Sequence, residues 1–306
     1  MIGCLIRVVG GIALFAASIG SFRAATILVP NASFESPPTS FVDINIDSWQ
    51  KSAKPADYNE SGGYLWTQLT GVFSNTDTTS SDHIDNCDGQ QALWLFAVPK
   101  VGLFQDYDSM DWNDPVPTHA FNATFEPGNS YQLTVGIIGT GGGMLEGASL
   151  ELSLYYRVGS NNVPVAVTSV SNTPTIFSNN THLIDFQVQV PAVKPSDPWA
   201  NQHIGIQFLS TVTSNLQGGY WDLDNVRLAA IREPVLANPV WTNGQFQFTL
   251  QSEPGLKLQI LAATNIASPA SNWFLLGTLT NLTGATQFTD STSHFIQRFY
   301  RVQELP

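Results

Sequence analysis

Gly218-Gly219-Tyr220-Trp221-Asp222-Leu223-Asp224-Asn225-Val226-Arg227-Leu228 is the stretch on which the fold turns. Side chains in a strand alternate between faces. That places Asp224, Val226 and Leu228 on one face and Leu223, Asn225 and Arg227 on the other. A carboxylate therefore stands in line with two residues that seek the core. A buried ionised carboxylate is costly unless something pairs with it or binds it. The best partner, Glu35, lies far upstream, so the last strand of the domain is expected to lie beside the first. Asp222 shares the face of Asp224, and either serves the same site or faces solvent.

The chain has 306 residues, of which 43% are hydrophobic and 12% charged. That is enough for one large β domain and a small one. The net charge of −12 argues against nucleic acid or an anionic membrane surface as partner. Arg7 followed by the apolar run Val8 to Gly20 has the form of a secretory signal, too short for a membrane span of roughly 20 residues. Cleavage is expected near Ala24 or Ala25, and the mature protein is expected to be secreted or held at the cell surface. Cys4 leaves with that segment, so Cys87 has no disulfide partner in the mature chain. Asn31, Asn59, Asn122, Asn179 and Asn281 head glycosylation sequons, which matter only in a host that glycosylates.

Alternating and apolar runs recur along the chain. Gln91 to Phe96, Gly102 to Tyr107, Leu150 to Tyr156, Thr181 to Val190, His203 to Leu209 and Tyr220 to Leu228 are predicted strands. Ala120–Phe125 and Tyr131–Ile137 flank Pro127-Gly128 and predict a hairpin. Residues 36–89 read as loops with brief strands near Trp49 and Trp66, residues 108–118 as a loop, and Gly139 to Gly143 as a flexible loop. Trp94 lies inside an apolar strand and is read as core. No segment carries a capped helical period. The fold class is all-β: a jelly-roll β-sandwich over 26–232, a linker over 233–239, and a second, smaller β-sandwich over 239–306.

Three motifs carry a resemblance. Pro30-Asn31-Ala32-Ser33-Phe34-Glu35 resembles the opening of galactose-binding-like jelly rolls, and Trp49 matches their early tryptophan. Phe125-Glu126-Pro127-Gly128-Asn129-Ser130-Tyr131 resembles their middle hairpin, and Asp224-Asn225-Val226-Arg227-Leu228 their closing strand. The group includes carbohydrate-binding modules of exported bacterial proteins, in which a structural calcium commonly joins the first and last strands. The resemblance implies calcium on Glu35 and Asp224, with Asn31 as a further candidate ligand. Calcium suits such a site because it mixes carboxylates with backbone carbonyls. The alternative is that Asp224 is held by backbone amides alone. Ala32 in place of glycine and the long 106–119 loop depart from the pattern. Segments such as Gly244 to Phe248 and Arg298 to Val302 resemble a small fibronectin- or immunoglobulin-like domain at the ends of secreted bacterial proteins.

Aromatics in loops can stack on the apolar faces of sugar rings, and Tyr64, Trp66, Tyr107 and Trp112 are the candidates. Packing within their own domain is the competing fate of each. Burial of Trp66 or Trp112 would remove it as a platform. The acidic cluster Ser81 to Gly89 misses the spacing of a calcium-binding EF-hand loop. His83, His119, His182, His203 and His294 are scattered without metal-ligand spacing. No nucleophile elbow, zinc-protease motif or phosphate loop is present. These observations together predict a secreted non-catalytic binding module that takes carbohydrate or a cell-surface polymer. The alternatives are a structural or adhesive surface protein, and a calcium-dependent enzyme, cyclase- or hydrolase-like. Some calcium-dependent cyclases of cyanobacteria resemble this jelly roll. A deep apolar pocket holding a carboxylic acid would favour the enzyme.

Overall fold

The structure is a computed structural model that describes residues 2–9, 12–20, 24–232, 234–291 and 297–305. The chain divides into two compact units, Ala25–Ala230 and Met1–Ala24 with Ile231–Pro306. Nearly all regular structure is β, as alternation predicts.

Strands β1 (Ile2–Val9) and β2 (Ile12–Gly20) form a hairpin at the N-terminus. Residues 21–23, beside the expected cleavage point, lie outside the described residues. Strands β3 (Ala24–Ile27), β4 (Val42–Asp43), β5 (Gln50–Lys51), β6 (Thr70–Ser74), β7 (Gln91–Phe96) and β8 (Gly102–Gln105) follow. After them come β9 (Asn129–Gly141), β10 (Ser149–Val158), β11 (Asn161–Ser171), β12 (Ile184–Val190), β13 (Gly205–Ser210) and β14 (Tyr220–Arg232).

Strands β3 to β14 make a two-sheet sandwich. One sheet has the order β11-β10-β13-β8-β5. The other runs β12-β9-β14-β7-β6-β4, with β3 also pairing β14. The first strand of the unit thus lies beside the last, as expected. Leu93, Leu95, Leu133, Val135 and Ile137 of one sheet bury against Leu103, Leu152, Leu154, Ile206 and Phe208 of the other. Each such fully buried side chain contributes roughly 1.5–3 kcal/mol relative to exposure.

The expected hairpin at Pro127-Gly128 is not formed. Residues 120–125 instead run beside the segment that leads into β13, with Phe125 N donating to Gln202 O and Ile204 N to Ala123 O. Tyr131 fixes this corner: its hydroxyl donates to Thr124 O and accepts from Glu126 N. Strand β11 escaped the sequence reading because most of its residues are exposed or half-buried, leaving no clear apolar face.

In the second unit the strands are β15 (Val235–Thr242), β16 (Gln245–Gln251), β17 (Lys257–Ala263), β18 (Phe274–Thr280), β19 (Ala285–Asp290) and β20 (Gln297–Glu304). They form sheets ordered β15-β16-β19 and β18-β17-β20-β1-β2. Their core includes Leu236, Phe246, Phe248, Leu258, Ile260 and Tyr300. The stretch read as a linker is largely strand β15, whose ladder to β16 breaks register between Ala237 and Val240 to pass Pro239.

Candidate active site

Strand β14 carries both carboxyls of the opening stretch, but strict alternation fails within it. Asn225 has φ 56°, in the left-handed region that asparagine tolerates better than most residues. That residue shifts the alternation by one. Trp221 and Leu223 face the core before it, and Val226 and Leu228 after it. Asp222 and Asp224 therefore share a face opposite Trp221 and Leu223. The inference that Asp224 stands in line with Val226 and Leu228 is corrected by this single backbone irregularity.

Asp222 opens onto a cavity of about 480 Å³ on the outer face of the larger sheet. Its walls come from five neighbouring strands: Val42 of β4, Phe73 of β6, Trp94 and Phe96 of β7, Ile138 to Gly141 of β9, and Tyr220 with Asp222 of β14. Leu93 and Leu95 point to the core, so Trp94 and Phe96 must point away from it. Trp94 is accordingly half-buried in the cavity wall, not core as its apolar run suggested.

Two glycines make room for the aromatic walls. A Cβ on Gly71 would lie 2.3 Å from the Trp94 ring, and one on Gly141 would lie 2.6 Å from the Tyr220 ring. Gly139 and Gly141 are the end of β9 and form the cavity floor, where the sequence suggested only a loop. The rim consists of two loops that clasp each other. Asp85 N donates to Thr181 O, Asn86 and Leu183 exchange two hydrogen bonds (2.9 and 2.8 Å), and His182 Nδ1 meets Asp85 Oδ1 at 2.6 Å.

The Oδ1 atom of Asp222 is buried and has no hydrogen-bond partner. Burial pushes its carboxyl up to about 7, so it holds a proton near neutral pH. Burial, followed by the nearby Asp222 and Asp82 carboxyls, also raises the Tyr220 hydroxyl. A protonated carboxyl in an apolar, aromatic-walled cavity is equipped for general-acid chemistry.

Asp224 serves a different place. Its Oδ2 accepts from Asp88 N at 2.6 Å, and its buried Oδ1 has no donor. Burial raises its carboxyl to about 7, the Asp88 and Asn225 amides opposing the rise. Glu35 Oε1 accepts from Gln90 N and Gln91 N at 2.8 and 2.7 Å. Both carboxyls thus clamp the turn before β7, around the Cys87 thiol. Burial raises that thiol, with Asp224, Glu35 and Asp88 adding to the rise. Asn31 is fully engaged elsewhere, donating to Ser36 O and Asp47 O and accepting from Ser36 N. Among the described residues no three His, Cys, Asp or Glu side chains gather as a metal-holding group. Glu35 and Asp224 offer two carboxylates and one orphaned oxygen, and backbone carbonyls would have to complete a calcium shell.

The four aromatics proposed as a sugar platform do not share a groove. Trp66 is 6% exposed, with its indole N–H bonded to Ser52 O and its ring against Tyr58, so it is a packing residue. Tyr107 is stacked between His119 and His203, each at 4.0 Å, at a separate pocket of about 90 Å³. Trp112 stands exposed on the 106–119 loop. Tyr64 does not line the large cavity but packs at 5.1 Å on Phe96, which does. Phe73, Phe96 and Tyr220 were not selected from sequence, and Asp222 was read there only as a companion of Asp224 or a solvent-facing residue. The usable signal was the Tyr220-x-Asp222 spacing beside Trp94-x-Phe96, two alternating pairs on strands that prove to be neighbours.

Several solved structures are similar to part of the chain. A cyclase from Fischerella sp. TAU matches with 23% identity and a TM-score of 0.47, covering 69% of this chain and 99% of that one. A carbohydrate-binding module, TmCBM61 in complex with β-1,4-galactotriose, matches with 13% identity and a TM-score of 0.34, covering 65% and 95%. No curated protein matches the chain. Among the described residues no helix is long and apolar enough to cross a membrane. The family model described as HpiC1 cyclase matches residues 25–229, the whole sandwich unit. This match overturns the expectation of a non-catalytic module for carbohydrate or a cell-surface polymer: a cyclase family is a family of enzymes acting on small molecules. By that match, the chain belongs to the HpiC1-like cyclase family.

Proposed function

We propose that this chain is a cyclase in which Asp222 delivers a proton to a small molecule whose apolar body is held in the cavity. The observation that carries this reading is the buried carboxyl without a partner, facing a cavity of about 480 Å³ walled by Trp94, Phe96, Phe73 and Tyr220. The Asp222 O–H protonates an alkene carbon or a heteroatom of the substrate. A neighbouring π bond then supplies the electron pair for the new ring bond. A proton lost from an adjacent carbon returns to the Asp222 carboxylate, which restores the acid. Substrate and product are isomers. The aromatic faces favour the positive charge that develops between the two proton transfers, and the apolar walls keep water from capturing it.

The test is a panel of unsaturated aromatic compounds incubated with wild-type protein and with Asp222→Asn, followed by mass spectrometry. Conversion of one compound to an isomer of unchanged mass and new retention time is expected. The variant should lose about 10²–10⁴-fold in rate, the usual contribution of a positioned acid. Equal conversion by both proteins would overturn the assignment.

Calcium is proposed on Glu35 and Asp224, where it would tie the first strands of the sandwich to the last. A cation bound only to the folded state raises the melting temperature, by about 2.7 kcal/mol of stability at a hundredfold excess over Kd. Equal melting in calcium and in chelator would remove it. The apolar run after Arg7 supports export, which the N-terminus of the protein recovered outside the cell would report.

A further inference from the structure

The cavity has a charge pattern that Asp222 does not explain. Its lining includes a second carboxyl, Asp82, and no Lys, Arg or His. Asp82 is exposed, on the loop between β6 and β7. Its side chain receives only a long contact from Ser81 Oγ, at 3.4 Å, among its described hydrogen bonds. Among the described residues no cation forms an ion pair with it. The adjacent rim carboxyl differs, because Asp85 is met by His182. His83 turns away to bond Thr76 O at 2.5 Å. Asp82 is an exposed carboxylate. It therefore stands unneutralised at the mouth of a cavity with four aromatic walls, whose π faces also attract cations. The chain's net charge of −12 draws cations and repels anions over longer range.

We infer that Asp82 is a specificity-determining residue that pairs with a positive charge on the substrate, so the cavity takes an organic cation with a flat apolar body. The ammonium or iminium group sits at the mouth against Asp82. The rings lie between Trp94, Phe96 and Tyr220, and reach toward Asp222. A mouth position suits pairing with a charge present before the reaction. A solvent-exposed carboxylate is too well screened to stabilise a charge that develops beside Asp222. The inference rests on the reading of this cavity as the substrate site.

Calorimetric titration of the full chain with three naphthyl compounds of one ring and different charge tests it. These are naphthylethylamine, naphthylethanol and naphthylacetate. The amine should bind roughly tenfold more tightly than the alcohol, the combined size of an exposed ion pair and cation–π contact. The acetate should bind more weakly than the alcohol. In Asp82→Asn the amine should fall to within about twofold of the alcohol, whose own affinity stays unchanged, and the wild-type preference should shrink with added salt. Equal binding of amine and alcohol to the wild type, or a preference that survives Asp82→Asn, would overturn the inference. Asp222→Asn separates the two readings: it should abolish turnover and keep the preference for the amine. If turnover depends on Asp222 while amine and alcohol bind alike, the acid assignment stands and the cation assignment falls. Binding of none of the three would overturn the cavity as an aromatic site and both readings with it.

Discussion

Asp106 and Asp222 are both carboxyls shielded from water, one at each sheet of the same sandwich, and their surroundings are opposite. Asp106 follows β8, and its Oδ2 accepts from Tyr155 O–H at 2.5 Å and from Arg157 Nε at 2.6 Å. Its Oδ1 accepts from Asp108 N at 3.0 Å. The pocket beside it measures about 90 Å³. Asp222 has an orphaned Oδ1, no ion-pair partner among the described residues, and a cavity about five times larger. A carboxyl whose lone pairs are filled by fixed donors works as structure. A carboxyl without donors in an apolar cavity keeps its proton and can give it away. Partners, more than burial, separate the two roles.

The largest expected effect comes from making the same change at both. Asp222→Asn should stop cyclisation, whereas Asp106→Asn should leave the rate per folded molecule unaltered, since its pocket and the cavity share no lining residue. A loss of rate in Asp106→Asn beyond its loss of folded protein would break the comparison.

Stability should move the other way. With its pKa raised to about 7 from 3.8, Asp222 binds its proton more tightly folded than unfolded. Its contribution is fully present below the unfolded value and is lost as pH rises through the folded one. At pH 8 the folded protein must hold a charge without a partner, at a cost on the order of 2–4 kcal/mol. Asp222→Asn removes that cost, so its melting temperature should exceed wild type at pH 8 and converge with it near pH 4. In chelator the Asp224 carboxyl, which burial also raises to about 7, is present in both proteins, so comparing them at each pH isolates Asp222. Asp106→Asn removes the carboxylate that Arg157 and Tyr155 share, and should destabilise by about 2 kcal/mol at neutral pH. The Arg157 side chain is one-third exposed, so solvent takes up part of the loss. A wild-type profile flat from pH 4 to 8, once compared with Asp222→Asn, would show that Asp222 is not an uncompensated acid.

Strands were legible wherever apolar residues alternate or run together, as in Gln91 to Phe96 and Leu150 to Tyr156. Asp222 and Asp224 were legible as carboxyls that a strand must account for. Their faces were not, because Asn225 enters the left-handed region and resets the alternation. The cavity was illegible for a related reason. It lies on a sheet face, and its walls come from β4, β6, β7, β9 and β14, which pairing brings together from separate parts of the sequence. Trp94 and Phe96 lie in a nearly unbroken apolar run, where composition cannot separate the core-facing side from the cavity-facing one. Gly139 to Gly143 had the composition of a loop, and the purpose of Gly141 and Gly142 appears only with the Tyr220 ring beside them.

The smallest effect divides two aromatics that look alike from sequence and in exposure. Tyr64 is 57% exposed and Trp112 is 53% exposed. Tyr64 packs on Phe96, which lines the cavity, so it buttresses the wall that a substrate touches. Trp112 lies on the 106–119 loop, its backbone N–H bonded to Asp47, and lines neither pocket. Tyr64→Ala should raise KM by a few-fold with little change in kcat, because the wall it supports binds substrate before and during the reaction alike. Trp112→Ala should change neither constant and should shift stability by less than about 0.5 kcal/mol, as surface substitutions away from special features do. Steady-state kinetics on the isomerised compound, with melting curves for both variants, decide the point. If Trp112→Ala raised KM as Tyr64→Ala does, the 106–119 loop would belong to the substrate site. The division between a structural region around Asp106 and a chemical one around Asp222 would then have to be redrawn.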